Sequence, residues 1–284
     1  MISVENLYHD YTGKGQYAVN DVSFNIKKGE VFGFLGPSGA GKSTTQNIMT
    51  GLLKLQKGEV LYEGNPITKM KSEFYNNIGV SFEFHNLYTK LTGYENLKYF
   101  AGLFDVPTAD PMELLDMVGL RADANKRIAN YSKGMMQRIV FARSLINNPK
   151  ILYLDEPTSG LDPTTASQIR QLIKRKKEEG CTIFLTTHNM FAADDLCDRV
   201  AFLNEGKIVA MDTPRNLKMK HGEKSVVVEF AGEKGIKKSV FFLDNEEDKK
   251  QLNKIILNKE VQTIHSQEAT LEQTFIKLTG RGLI

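Results

Sequence analysis

The sequence predicts an α/β fold, with a mostly parallel sheet at its centre, an antiparallel β layer, a helical insertion and a small α/β module at the end of the chain. Three observations carry this expectation. The apolar run Val31-Phe32-Gly33-Phe34-Leu35 leads straight into Gly36-Pro37-Ser38-Gly39-Ala40-Gly41-Lys42-Ser43-Thr44, which fits the pattern G-x-x-x-x-G-K-[ST] at every fixed position. Two more apolar runs, Ile151–Leu154 and Thr182–Thr186, read as buried parallel strands and lead into Asp155-Glu156 and His188. From about 86 to 147 the apolar spacing becomes helical, interrupted at Gly93, Pro107, Pro111 and Gly119.

The glycine-rich turn is the most specific of these signals, because its fixed positions match by chance in about one chain in a hundred of this size. Glycines let backbone N–H groups curl around an anion, Lys42 adds a mobile cation, and the Ser43 hydroxyl suits Mg²⁺. The helix starting near Lys42 points its positive end at the same place. Carboxylates at the carboxyl edge of a parallel sheet lie where such folds bind ligands. Successive side chains of an extended segment point in opposite directions, so Asp155 and Glu156 are expected to differ in role. Asp155 is assigned to the Mg²⁺ shell and Glu156 to an attacking water as general base. His188, just past a strand end, is placed to reach a γ-phosphate.

Composition excludes several alternatives. The chain has 284 residues, 25% charged and 41% hydrophobic, which reads as a soluble globular protein. A net charge of +3 without a face-long basic stripe argues against a nucleic-acid partner. The run Lys174-Arg175-Lys176-Lys177 precedes Glu178-Glu179 and reads as a solvated helix face. Two cysteines, Cys181 and Cys197, are too few for a disulfide framework and are expected to be small buried residues in a reducing cytoplasm. No apolar run approaches the 18 or so residues of a membrane span, so the chain is not expected to cross a membrane by itself.

Taken in order, Ala18–Ile26 alternates as a half-buried strand and Lys28-Gly29-Glu30 turns it toward the next. Tyr11 precedes the loose Thr12-Gly13-Lys14-Gly15, where its ring is placed to stack on a base. Gly58–Gly64 and Ile78–Phe82 are short strands. Ser132 is the expected N-cap of a long helix, and Asp162-Pro163 occupy N-cap and N1 of another. Arg199–Met211 closes as a hairpin around Asn204-Glu205-Gly206. After about 220, strands at 225–230, 239–243 and 260–264, a charged helix at 245–257 and a last helix capped by Thr270 form a separate module. The expected domains are therefore 1–219 and 220–284.

Residues 2–217 resemble the nucleotide-binding subunit of ATP-binding cassette (ABC) transporters, with every motif in family order. Gly36–Thr44 is similar to the Walker A loop, Ile151–Glu156 to the Walker B strand, Ser159-Gly160-Leu161-Asp162 to the D-loop, and His188 to the switch histidine. Tyr11 is similar to the adenine-stacking aromatic, and Ser132-Lys133-Gly134-Met135-Met136-Gln137 to the signature Ser-Gly-Gly-Gln. The resemblance implies a P-loop NTPase cassette that binds ATP and Mg²⁺, with Glu156, His188 and Lys42 catalytic and Ser43, Glu83 and Asp155 around the metal. It implies nucleotide contacts from Tyr11, Gly36 to Thr44, Glu83, Asp162 and, in trans, Ser132, Lys133, Gly134, Met135 and Gln137. Two copies then pack head to tail around two ATP and drive an integral membrane permease on another chain, at the cytoplasmic face of the membrane.

The chain departs from the family pattern twice. Lys133 replaces a signature glycine, and Glu83 stands where the Q-loop glutamine belongs, as in some cassettes resembling those of lantibiotic immunity. Glutamate keeps an oxygen for Mg²⁺ but loses the amide donor and adds a charge. The ending Ala269–Arg281 resembles drug-resistance and antibiotic-export cassettes that serve ABC-2-type permeases, which favours export. The alternative is an ABC-type ATPase of a resistance or immunity complex, or of another non-transport soluble complex. A GTPase is disfavoured because no Asn-Lys-x-Asp motif occurs.

Overall fold

The structure is a computed structural model that describes residues 1–232 and 235–280; Arg281, in the export-like ending, lies outside them. The chain divides into two compact units, Met1–Met211 and Asp212–Ile284.

In the first unit, β1 (Ile2–Asp10) pairs antiparallel with β2 (Tyr17–Ile26), whose inward residues Val19, Val22, Phe24 and Ile26 are buried. β3 (Val31–Leu35), wholly buried, runs into the glycine-rich turn and α1 (Lys42–Met49). β4 (Lys57–Tyr62) and β5 (Asn65–Pro66) complete an antiparallel sheet of order β2-β1-β4-β5. The short α2 (Ser72–Tyr75) leads to β6 (Ile78–Ser81).

The helical segment follows. α3 (Gly93–Ala101) starts at a capping box in which Thr92 and Glu95 satisfy each other's backbone N–H groups. Asp110 caps α4 (Pro111–Met117), with proline at the position where its missing N–H costs nothing. Ser132 caps α5 (Lys133–Arg143) by accepting from Met135 N at 3.2 Å.

The chain then returns to the sheet. β7 (Ile151–Asp155) is followed by α6 (Pro163–Glu178), β8 (Thr182–Thr187), α7 (Met190–Leu196) and the hairpin β9 (Arg199–Asn204) and β10 (Lys207–Asp212). The six-stranded sheet has the order β10-β9-β3-β8-β7-β6, and β9, β3, β8, β7 and β6 run parallel. Parallel register brings Leu35, Asp155 and Thr187 to one carboxyl edge: Leu35 pairs with Thr187, and Asp155 with Thr186.

The core lies between the two sheets. The Phe24 and Phe32 rings stack 5.2 Å apart, with Phe34 and Phe184 beside them. Tyr62 and Tyr153 meet hydroxyl to hydroxyl, and Tyr62 also donates to Met49 O at 2.5 Å. Burial raises both phenols, so they remain neutral and satisfy each other. The basic run of α6 is largely paired: Lys174 reaches Asp195, Lys176 reaches Glu179 and Lys177 reaches Asp198. Cys181 and Cys197 are free and buried.

The second unit begins with α8 (Pro214–His221), then β11 (Ser225–Gly232), β12 (Gly235–Phe242), α9 (Glu246–Asn258), β13 (Val261–Gln267) and α10 (Leu271–Thr279). The antiparallel sheet β12-β11-β13 is covered on one face by α9, where Val228, Phe230, Phe241 and Leu252 form a small core. α8 packs on α10, so the division expected at 219 falls inside a helix that belongs with the second unit. A capping box joins Thr270 and Gln273, and Gly280 ends α10 in the left-handed conformation. Among the described residues no helix is long and apolar enough to cross a membrane.

Candidate nucleotide site

The turn behind β3 is held from outside. A Cβ on Gly36 would stand 2.2 Å from Leu203 O, and one on Gly41, at φ 101°, 2.3 Å from Ala18 O. Neither position has room for a side chain. Gly41 is also the N-cap of α1, and neither it nor an acidic residue in the first turn satisfies the helix's leading N–H groups. Those donors and the positive end of the helix are what an anion requires.

Lys42 is 8% exposed, and its ammonium donates to Gly36 O at 2.8 Å and Pro37 O at 3.0 Å. Burial lowers its pKa, against the pull of the carboxylates of Glu156, Asp155 and Glu83. One buried cation thus faces three carboxylates. Asp155 accepts from Thr186 Oγ1 and from the Ser43 side chain; burial nevertheless raises its carboxyl above the usual range, with Glu83 and Glu156 adding to the rise.

Glu156 does not continue the strand. Its φ is 48°, a left-handed conformation that non-glycine residues seldom adopt. The alternation argument for Asp155 and Glu156 therefore fails at its second residue: the extended backbone ends at Asp155, and Glu156 is turned by the bend itself. Its Oε2 accepts from Thr187 Oγ1 at 2.9 Å, and its Oε1 takes the backbone N–H of His188 at 2.8 Å. The His188 imidazole lies at 2.7 Å through Nδ1, with its side chain 56% exposed toward the cleft.

Tyr11 is 62% exposed, with its hydroxyl 3.1 Å from Thr44 Oγ1 and its ring edge-on to the buried His9 at 4.6 Å. The loop behind it is ordered by Asp10, whose carboxylate accepts from Thr12 N and Gly15 N at 2.7 Å each.

A cleft of about 350 Å³ gathers Tyr11, Ser38, Gly39, Gly41 to Thr44, Glu83, Asp155, Glu156 and His188. Gly36, Pro37 and Ala40 form the back of the turn. Ser132, Lys133, Gly134, Met135, Gln137 and Asp162 are not part of this cleft. Lys133 lies over Gly160, its Cε 3.2 Å from where a Cβ there would stand. Asp162 Oδ1 accepts from Thr164 N at 3.1 Å and Thr165 N at 3.0 Å, so it caps α6. Gln137, expected beside a nucleotide, is 4% exposed and donates to Glu156 O at 3.2 Å. Its amide is engaged inside its own chain, because the helix turn that exposes Ser132 points Gln137 inward.

Sequence reasoning missed Thr186 and Thr187, whose hydroxyls hold the two carboxylates. The available signal was their place at the end of a strand neighbouring Asp155-Glu156.

A strand, an anion-binding turn and a helix, with two carboxylates and a histidine on adjoining strand ends, define a P-loop nucleoside-triphosphate-binding cassette. Residues 19–159 match the family described as ABC transporter. The fluoroquinolones export ATP-binding protein of Mycobacterium tuberculosis is 48% identical over 284 residues, covering 100% of this chain and 94% of the relative. The bacitracin transport ATP-binding protein BcrA of Bacillus licheniformis is 32% identical, covering 95% of this chain and 94% of its own. A dimeric ATP-binding cassette solved in a post-hydrolysis state with ADP and Pi superposes with a TM-score of 0.68 at 31% identity, covering 75% of this chain and 98% of that one. The chain belongs to the ABC transporter family as an ATP-binding subunit, and its activity is the hydrolysis of ATP coupled to transport.

Proposed function

We propose that this subunit powers export, as one of two cassettes that close head to tail around ATP and drive a separate membrane permease. The observation that carries the export reading is the full-length similarity to the fluoroquinolones export protein, which extends through the second unit. Similar cassettes are dimeric in solved structures. The exclusion of Ser132, Lys133 and Gly134 from the cleft fits a role on a second copy's nucleotide, with the N-terminus of α5 directed at its γ-phosphate.

Within one cassette, Tyr11 takes the adenine and the turn from Gly36 to Thr44 takes the phosphates. Mg²⁺ supplies charge neutralisation at the phosphates when bound. The residues present suit it: Ser43, Glu83 and Asp155 line the same cleft, and the Ser43 side chain is hydrogen-bonded to Asp155. Mg²⁺ characteristically uses one or two carboxylates and a hydroxyl together with phosphate oxygens, which here are Asp155, Glu83 and Ser43. Glu156 accepts the proton of the attacking water, and His188 fixes that carboxylate and faces the γ-phosphate. Lys42 leaves the Gly36 and Pro37 carbonyls for phosphate oxygens.

A groove of about 500 Å³ supports the permease partner. It is lined by Leu52, Tyr75, Phe82, Tyr88, Phe100 and Phe104, among others, and two of its aromatics, Tyr75 and Tyr88, are exposed. The subunit then sits at the cytoplasmic face of the membrane through that partner. Affinity capture of the tagged subunit from solubilised membranes tests this, with an integral membrane protein expected in the eluate. Recovery of ribosomes, DNA or soluble partners alone would overturn it.

A further inference from the structure

We infer that His9 is a positioning residue for the nucleobase: its buried ring backs Tyr11 and, together with Thr44, fixes the plane on which the base stacks. The inference deepens the nucleotide reading above and rests on Tyr11 taking the adenine. The inward row of β1 is Ile2, Val4, Leu7 and His9, all buried. The first three are apolar. His9, 3% exposed, is not, and its Nδ1 is buried without a partner among the described residues. An unpaired polar atom in a buried position costs stability, and an aliphatic side chain would end the row without that cost. What the imidazole has and an aliphatic chain lacks is an aromatic ring, and it meets one. The His9 and Tyr11 rings lie 4.6 Å apart between centres at 78°, an edge-to-face pair within the favoured range.

The other restraints on Tyr11 leave one freedom open, and it is the one that matters for stacking. Gln56 brackets the preceding residue: its Oε1 accepts from Asp10 N at 2.9 Å and its Nε2 donates to Asp10 O at 3.0 Å. The Asp10 carboxylate accepts from Thr12 N and Gly15 N, which fixes the chain beyond Tyr11. The Tyr11 hydroxyl, 3.1 Å from Thr44 Oγ1, restrains the far end of the ring. The line from Cβ to that hydroxyl is the χ2 axis, so a tyrosine held at both ends still turns about it, and this torsion is intrinsically broad. The edge-to-face contact with His9 resists that rotation. Tyr11 remains 62% exposed, which leaves its surface to the base. A platform whose plane is set beforehand loses less freedom when a base stacks on it. The phosphates gain nothing from His9, which is not among the residues of the cleft.

The test compares wild type, His9→Leu, His9→Phe and Tyr11→Ala by calorimetric titration with ATP and with inorganic tripolyphosphate, each with Mg²⁺. Tripolyphosphate reports the phosphate cradle without the base, so it also certifies folding. His9→Leu keeps an apolar row but removes the ring. It is expected to weaken ATP about fivefold, the size of one aromatic pair, and tripolyphosphate by less than about twofold. KM for ATP rises with Kd while kcat at saturation stays within about twofold. His9→Phe restores most of the ATP affinity, and His9→Leu adds no loss to Tyr11→Ala. His9→Met is read in the same way if His9→Leu does not fold. Unchanged ATP affinity without the His9 ring, an equal loss for tripolyphosphate, or losses that add to those of Tyr11→Ala would each overturn the proposal. Wild-type ATP affinity in Tyr11→Ala overturns the adenine reading and the proposal with it, whereas a loss in Tyr11→Ala without one in His9→Leu sinks the proposal alone.

Discussion

His188 holds one oxygen of Glu156 twice: its backbone N–H at 2.8 Å and its Nδ1 at 2.7 Å both meet Oε1. Oε2 is taken by Thr187. The carboxylate is therefore fixed in plane by donors from the neighbouring strand end before any substrate arrives, and the imidazole's remaining nitrogen is left for the cleft.

Glu156→Gln keeps the shape of this arrangement but removes the carboxylate proposed to accept the proton of the attacking water. Steady-state hydrolysis should fall by roughly 10² to 10⁴ while ATP binding persists, and light scattering should find the ATP-bound variant dimeric. Near-normal turnover would remove Glu156 from the role of base.

Glu83 puts a third carboxylate around Lys42 and Asp155. Glu83→Gln removes one negative charge and, at the position proposed to face Mg²⁺, one charged oxygen donor. Affinity for ATP without Mg²⁺ should rise, and the Mg²⁺ concentration for half-maximal hydrolysis should increase, each by about threefold to tenfold, as expected for loss of one partly screened charge. If neither titration moves, Glu83 stands clear of both metal and phosphate.

The thiols should be inert in the folded protein. Burial pushes Cys181 up to about 12, and burial with the Asp198 charge raises Cys197 further. A maleimide or disulfide reagent at pH 8 should label neither until denaturant is added. Fast native labelling of either cysteine contradicts its burial.

In the second unit, Asp212 accepts from Lys220 at 2.6 Å, from the Asn216 amide at 2.8 Å and from Thr213 N at 2.8 Å, which holds its pKa at about 2. A depressed folded value means the contribution is present above the unfolded value of 3.8 and is lost as pH falls toward 2. The Lys220 side chain is largely exposed, so screening limits the effect to about 1 kcal/mol or less. Asp212→Asn should lower amide protection in α8 at pH 6 by up to about fivefold, with the difference vanishing near pH 2. A difference that persists at pH 2 would locate the cause elsewhere.

The parts legible in the sequence are those where a local pattern has one physical solution. Gly36–Thr44 behind a buried strand, the caps Ser132 and Asp162 and the hairpin at Glu205-Gly206 all stand where periodicity and capping place them. What escaped depends on neighbours far along the chain. The left-handed Glu156 relies on Thr186, Thr187 and Gln137, and no local pattern announces it. Gln137 looked like a ligand because its motif is short; the helix that begins with it decides that it points inward.

The clamped glycines of the turn separate two reasons for a residue to be fixed. Gly36 and Gly41, the invariant positions of the motif, are crowded by carbonyls of β9 and β2, whereas Gly39, at a variable position, has nothing within 4 Å. In this chain the motif's two fixed glycines are therefore required by the scaffold behind the loop as well as by any anion in front of it. A library randomised at Gly36 or Gly41 would thus be filtered by clashes with neighbouring carbonyls, and one randomised at Gly39, which has open space, by the cost of its left-handed φ of 79°, although all three appear in the same nine-residue signature.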